Sequence, residues 1–314
     1  MRYLLRLSGE HPTLPKAELE AVLQGELLEY TIREHGRLAV VDVDGADPAF
    51  VSRLAYTTEA AEYLGESKTV DGLAAPVYDG ISDAASFRVT APAQIQKRLG
   101  GLLHELGLEV DLKDPDADVI VVEAGGRYMA GVRISQRKDY GGRRAQYRPY
   151  FHPTSMHPKL ARAMVNLTRV NAGDRILDPF CGTGGILIEA GLMGIECEGW
   201  DIDRNMVEGA RQNLREYGIK PDIREADATE AKTSTDAIAT DPPYGRSSYT
   251  SEETGTLYGR FMANARSILD EGCYMALMLP AEKIVGHPGF TTVGTYDVYI
   301  HKSLTRRVTV LQAV

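Results

Sequence analysis

An α/β fold with a doubly wound, largely parallel sheet in its second half is predicted by three features of this 314-residue chain. From residue 159 onward, short apolar runs alternate with helical patterns, the rhythm of strand–helix crossover units. One strand ends in Asp178 and runs into Pro179-Phe180-Cys181-Gly182-Thr183-Gly184-Gly185. Another ends at Thr240 and runs into Asp241-Pro242-Pro243-Tyr244-Gly245. Open sheets of this class hold their ligands at such places, outside the carboxyl ends of strands.

Residues 1–62 read as a small α+β module. Tyr3 to Leu7 is a strand, Leu14 to Leu28 a helix with Leu19, Val22, Leu23 and Leu27 on one face, and Leu38 to Val43 a returning strand. Phe50 to Tyr56 reads as helical or irregular. Residues 63–146 form a second α+β module. Its strands are Ser86 to Thr90, Val119 to Glu123 and Tyr128 to Arg133, the last two joined by a turn at Gly125-Gly126, and its helix is Ala93 to Glu105. Residues 147–158 are too rich in proline for regular structure and serve as a linker.

Residues 159–314 are the larger domain. Helices are expected at Lys159 to Val170, Gly184 to Leu192, Asn205 to Tyr217 and Leu257 to Leu269. Strands are expected at Arg175 to Leu177, Cys197 to Trp200, Ile223-Arg224, the run ending at Thr240, and Tyr274 to Leu279. Tyr296 to His301 and Val308 to Leu311 flank a short polar loop and close one edge as an antiparallel hairpin.

A formal charge of −9 argues against non-specific coating of nucleic acid and leaves room for a local basic footprint. The stretch from Arg127 to Arg148 is such a candidate, with Arg133, Arg137, Lys138, Arg143 and Arg144 inside it. Cys181, Cys197 and Cys273 are widely spaced and give neither a disulfide framework nor a paired zinc motif. His152 and His157 have no cysteine or carboxylate cluster around them, so no metal is expected. With a charged amino-terminal segment and no long apolar span, a cytoplasmic protein is expected, and a monomer suffices.

The glycine turn after Asp178 can take a nucleoside or its charged tail against the free amides of a helix start. No lysine follows the glycines, and their spacing is not that of a dinucleotide fingerprint. Gly199-Trp200-Asp201 ends the next strand, where Asp201 can accept from a ribose diol. Asp227 follows the third strand and can accept from an adenine amino group, whereas Asp203 reads as a helix cap. At the second rim, Asp241 and the Pro242 carbonyl can each accept one N–H of an amine on a planar base, and Tyr244 can stack on that base. Holding both protons aims the nitrogen lone pair at an electrophilic methyl group, a gain from orientation and fixed electrostatics.

These residues carry a resemblance. The second half is similar to Rossmann-like S-adenosylmethionine-dependent amino-methyltransferases, with Asp178-Pro-Phe-Cys-Gly-Thr-Gly as the first motif and Asp241-Pro-Pro-Tyr as the catalytic one. The whole chain resembles the archaeal tRNA guanosine-10 N2-methyltransferases. That resemblance implies a ferredoxin-like domain and a THUMP domain ahead of a seven-stranded catalytic sheet, tRNA as substrate, and N2-methylguanosine or N2,N2-dimethylguanosine as product. It implies cofactor contacts from Thr154, Ser155, Asp178, Phe180, Gly182, Gly184, Asp201, Asp227 and Asp241, and catalysis by Asp241, Pro242 and Tyr244. Arg88, Lys97, Arg98 and the Arg127 to Arg148 stretch are the candidates for the tRNA surface. Rival readings are N2 methylation of guanosine at another tRNA position, such as 6, or in rRNA, and a non-catalytic tRNA-binding protein.

Overall fold

The computed structural model describes the whole chain except Ala46, Arg137, Lys138, Thr154, Pro221 and residues 244–250, 283–285 and 302–303, and the side chains of Gln136, 251–255 and His301. The chain forms two compact units. The first comprises 1–15, 27–52 and 56–138; the second comprises 16–26, 53–55 and 139–314.

The elements of the amino-terminal half are β1 (Arg2–Leu7), α1 (Leu14–Gly25), β2 (Tyr30–His35), β3 (Leu38–Val43), α2 (Phe50–Arg53), β4 (Thr57–Ser67), α3 (Ala74–Ile81), β5 (Phe87–Thr90), α4 (Ala93–Glu105), β6 (Ala117–Ala124) and β7 (Arg127–Gln136). The strands make one sheet in the order β2-β3-β1-β4-β7-β6-β5. The β6–β7 turn is the expected one: Gly125 at φ 59° and Gly126 at φ 70° supply the two left-handed positions of a tight hairpin.

Two expectations change here. The boundary drawn between residues 62 and 63 falls inside β4, which pairs with β1 on one side and β7 on the other, so both modules share one sheet. The body of α1 belongs to the second unit. Its buried Glu18 accepts from the Ala55 amide at 2.7 Å and from Asn166 at 2.7 Å. Arg53 extends the same network, donating to Glu26 at 3.0 Å and Asn171 at 2.6 Å.

The second unit continues with α5 (Pro158–Leu167), β8 (Arg175–Asp178), α6 (Gly185–Gly191), β9 (Glu196–Asp201), α7 (Arg204–Glu216), β10 (Asp222–Glu225), β11 (Thr235–Thr240), α8 (Ser251–Ile268), β12 (Leu269–Pro280), β13 (Phe290–His301) and β14 (Leu304–Ala313). The seven-stranded sheet runs β10-β9-β8-β11-β12-β14-β13, parallel through β12 and then antiparallel, as the doubly wound pattern and closing hairpin predict. After β8 the chain winds outward through β9 and β10, then returns to place β11 on the other flank of β8. The direction of winding reverses there, and the crevice between β8 and β11 is where such sheets bind ligands.

Local signals fix the helix starts. His157 caps α5 by accepting from the Lys159 amide at 3.2 Å, with Pro158 in the first helical turn. Asp203 caps α7 through the Asn205 amide at 2.8 Å, as expected. Leu177, Trp200, Ile238 and Leu277 of the sheet pack with Phe261 and Met262 of α8 into a buried core beneath the carboxyl edge of the strands. Glu189 of α6, fully buried, accepts from Arg143 at 2.7 Å and from Arg162 at 2.8 Å. With both cations bound, the carboxylate is compensated for its lost hydration.

Candidate active site

Strand ends bring three carboxylates of the second unit to one edge. Asp178 is the last residue of β8, Asp201 the last of β9, and Asp241 directly follows β11. Asp178 is buried, and its Oδ1 accepts from the Thr240 hydroxyl at 2.6 Å and the Phe180 amide at 3.3 Å. Burial pushes its carboxyl up to about 7, the two hydrogen bonds oppose this, and the nearby charges of Asp241 and Asp201 add to it. Asp201 accepts from the Gly182 amide at 2.9 Å and the Asp203 amide at 2.9 Å, one on each oxygen. Its carboxyl is also raised, chiefly by burial.

The turn between β8 and α6 depends on its glycines. Gly182 (φ 49°) and Gly184 (φ 80°) both take the left-handed conformation. A Cβ on Gly184 would stand 2.6 Å from Leu214 Cδ1. Gly184→Ala is therefore expected to cost about 1–2 kcal/mol of stability, from backbone strain and the close approach. It should also weaken cofactor binding by displacing the Gly182 amide. Denaturant unfolding and cofactor titration check both, and native values in each would show that the turn tolerates a side chain.

Ser155 joins this turn: its hydroxyl donates to the His152 carbonyl at 2.9 Å and shares a hydrogen bond with Thr183 at 3.0 Å. Phe180 packs edge-to-face on Phe261, with ring centroids 5.2 Å apart. Cys181 is buried, and burial beside Asp178 and Asp201 pushes its thiol well up, which keeps it protonated and inert. Asp227 is more exposed and closes a local turn by accepting from the Thr229 amide at 2.8 Å, which holds its carboxyl below the usual range. Thr154 and Tyr244 lie outside the described residues.

Asp241 has a partner that sequence reasoning missed. Arg306 of β14, itself buried, donates Nη1 to Asp241 Oδ2 at 2.7 Å and Nη2 to Oδ1, and also reaches the Met278 carbonyl at 3.2 Å. Burial raises the Asp241 carboxyl and Arg306 counters that shift. The signal was present in β14, where Arg306 shares a strand face with Val308 and Val310, a charge in an apolar register. Pro242 is buried, and the Pro243 carbonyl accepts from the Tyr258 hydroxyl of α8 at 2.9 Å, which pins the turn from beneath.

The expected basic surface is divided. Arg133 lies between Glu59 and Asp118, Arg88 binds Asp118 at 2.7 Å and the Leu112 carbonyl at 3.1 Å, and Arg98 forms a two-point pair with Asp71. Arg143 holds Glu189, and Arg148 is buried, its Nε donating to the Arg143 carbonyl at 3.0 Å. Among the described residues of 127–148, carboxylates distant in sequence reach Arg127, Arg133 and Arg143. Lys97 and Arg144 are exposed and have no ion pair among the described residues; Arg137 and Lys138 lie outside them. Arg144 and Tyr147, which is 66% exposed, border a shallow depression of about 490 Å³ that Asp139, Gly141 and Gly142 complete.

Comparison with known proteins bears on this geometry at three levels. The family model for the RMKL-like methyltransferase domain matches residues 145–287. In fold, the chain is similar to TrmN from Thermus thermophilus, with a TM-score of 0.55 at 23% identity over the full length of both chains. In sequence, it is 38% identical to the tRNA (guanine(10)-N2)-dimethyltransferase of Methanothermobacter thermautotrophicus, covering 100% of both chains. It is 34% identical to the protein of the same name from Pyrococcus abyssi, covering 99% of each. Identity at this level, sustained from end to end around a glycine turn and an Asp-Pro-Pro rim, means that the chain belongs to the archaeal tRNA (guanine(10)-N2)-dimethyltransferase family.

Proposed function

We infer that the protein transfers methyl groups from S-adenosylmethionine to the N2 amino group of guanosine 10 in tRNA, giving N2-methylguanosine and then N2,N2-dimethylguanosine. The observation that carries this reading is the Asp241 carboxylate. It is fixed beside Asp178 at the switch point of the sheet, in a chain that matches tRNA (guanine(10)-N2)-dimethyltransferases end to end.

The residues present suit the cofactor. A Cβ on Gly182 would meet nothing within 4 Å, so the turn leaves an open cradle beside Asp201. Asp178, Asp201 and Asp241 all carry raised carboxyls, and a cation among them would relieve the burial that raises them. S-adenosylmethionine, when bound, supplies an electrophilic methyl group on a positively charged sulfur. Asp201 would receive the ribose hydroxyls on the lone pairs that the Gly182 and Asp203 amides leave, and Asp227 the adenine amino group. Ser155, with Thr154, would hold the methionine end.

The amino group of guanine is conjugated with its ring and is a poor nucleophile. Asp241 and the Pro242 carbonyl would hold its N–H groups and orient the lone pair, with Tyr244 stacked on the base. The first unit would grip the tRNA as ferredoxin-like and THUMP modules do. Lys97 there and Arg144 in the second unit are the basic candidates best suited to phosphate, since carboxylates hold Arg88, Arg98, Arg127, Arg133 and Arg143, and Arg148 is buried.

Labelled S-adenosylmethionine and unmodified tRNA, followed by nucleoside analysis, test the reading. Label should appear in N2-methylguanosine and N2,N2-dimethylguanosine and disappear when guanosine 10 is replaced by adenosine. Label in N6-methyladenosine, label that survives the replacement, or binding without transfer would each overturn it. On the same substrate, Arg144→Ala should raise the KM for tRNA roughly fivefold at unchanged kcat and reduce the salt dependence of binding by about one phosphate contact. An unaltered salt slope would remove Arg144 from the interface.

A further inference from the structure

We propose that Arg306 is a positioning residue for methyl transfer: its two-point grip keeps Asp241 anionic and turned so that one lone pair on each oxygen faces the incoming base. The proposal rests on the reading of Asp241 as the acceptor of the guanine amino group. A carboxylate offers about four lone-pair sites, and Arg306 takes one on each oxygen. The guanidinium cannot readily swing away, because it is buried and its Nη2 is also tied to the Met278 carbonyl of β12 at 3.2 Å.

Two consequences follow. The N1–H and N2–H of guanine form the same kind of two-donor fork as arginine, and that approach to Asp241 is already filled. The base must therefore donate a single N–H from the open side. One N–H is also all that the amino group of N2-methylguanosine retains, so an acceptor arranged in this way serves the first and second transfers alike.

The second consequence concerns charge. Among the described residues, the charged groups facing Asp241 are Arg306 from β14 and Asp178 from β8, the latter in turn facing Asp201 from β9. Among the described residues, Arg306 is the cation that opposes the effect of burial on Asp241. Without it Asp241 would take up a proton at higher pH, and a protonated carboxyl has lost acceptor capacity.

The test is kinetic. At pH 7.5, Arg306→Gln should lower kcat about 30-fold, leave the KM for tRNA and the cofactor affinity within a few-fold, and move the acid limb of the kcat profile up by about one pH unit or more. Arg306→Lys keeps the charge and loses the fork, so it should lower kcat less and leave the limb near its native position. In an Asp241→Asn background, Arg306→Gln should add less than about threefold, since the residue acts through Asp241.

A stationary acid limb, or full additivity with Asp241→Asn, would reduce Arg306 to a structural role and overturn the proposal. If Arg306→Gln does not fold, as judged by cofactor binding and thermal melting, Arg306→Lys decides: native kcat overturns the proposal, and reduced kcat with an unmoved limb supports it. Full activity of Asp241→Asn alone would instead refute the reading of Asp241 on which the proposal rests, whereas an impaired Asp241→Asn beside a native Arg306→Gln would refute the proposal alone.

Discussion

Asp241→Asn is expected to reduce kcat for methyl transfer by roughly 10³-fold while leaving cofactor affinity within a few-fold, because on the proposed reading it would remove a fixed acceptor from the reacting nitrogen. The carboxylate ends β11 at the switch point, and its orientation is held from both sides. Arg306 binds its oxygens, and the Tyr258 hydroxyl bonds the Pro243 carbonyl at 2.9 Å two residues on. An amide of the same shape would turn its NH2 either toward Arg306 or toward the base, and neither is an acceptor. Asp241→Ala should be equally inactive and also less stable by about 3 kcal/mol, since it strands a buried guanidinium. Asparagine is therefore the informative substitution. Single-turnover assays with saturating tRNA measure the chemical step directly, and turnover within tenfold of native would remove Asp241 from catalysis.

The second half of the fold was legible because its signals are local. Alternating apolar periods, the capping Asp203, the aspartates before proline at 178 and 241, and Asp201 at the end of its apolar run placed the strands of the catalytic sheet and these three carboxylates at its edge. β4 was not legible. Thr57–Ser67 is rich in alanine and glutamate, which favour helix in isolation, and it becomes a strand because β1 and β7 pair with it on both sides. The partners of the arginines were not legible for a related reason. Arg143 finds Glu189 46 residues away, Arg133 finds Glu59 74 residues away, and Arg306 finds Asp241 65 residues away. Periodicity reports which face a side chain takes, whereas its partner is set by topology, so buried ion pairs between distant elements escape a reading along the chain.

Asp178 carries the second large effect, and it couples stability to cofactor binding. Its carboxyl is pushed up to about 7 by burial, against an unfolded value of 3.8. The native protein therefore holds a proton that the unfolded chain releases. Stability falls as pH rises from about 4 to about 7, and the whole penalty is present above that. A shift of this size corresponds to roughly 3–5 kcal/mol. Asp178→Asn can still accept from Thr240 and the Phe180 amide, and it carries no charge to desolvate. It should melt higher than the native protein at pH 8 and close to it at pH 4, as thermal unfolding across that range would show. The cost appears in binding. Bound beside Asp178 as proposed, a cationic cofactor would draw it into its charged form, so native affinity for S-adenosylmethionine should rise with pH through 7, with a proton released on binding. The asparagine variant should bind about 10- to 100-fold more weakly at pH 8 and lose most of that pH dependence, the remainder belonging to Asp201 and Asp241. Calorimetric titration in buffers of different ionisation enthalpy counts the proton. A variant that melts like the native protein at pH 8 and releases the same proton would show that Asp178 is already ionised in the folded state, held there by Thr240 and the Phe180 amide more strongly than burial opposes it.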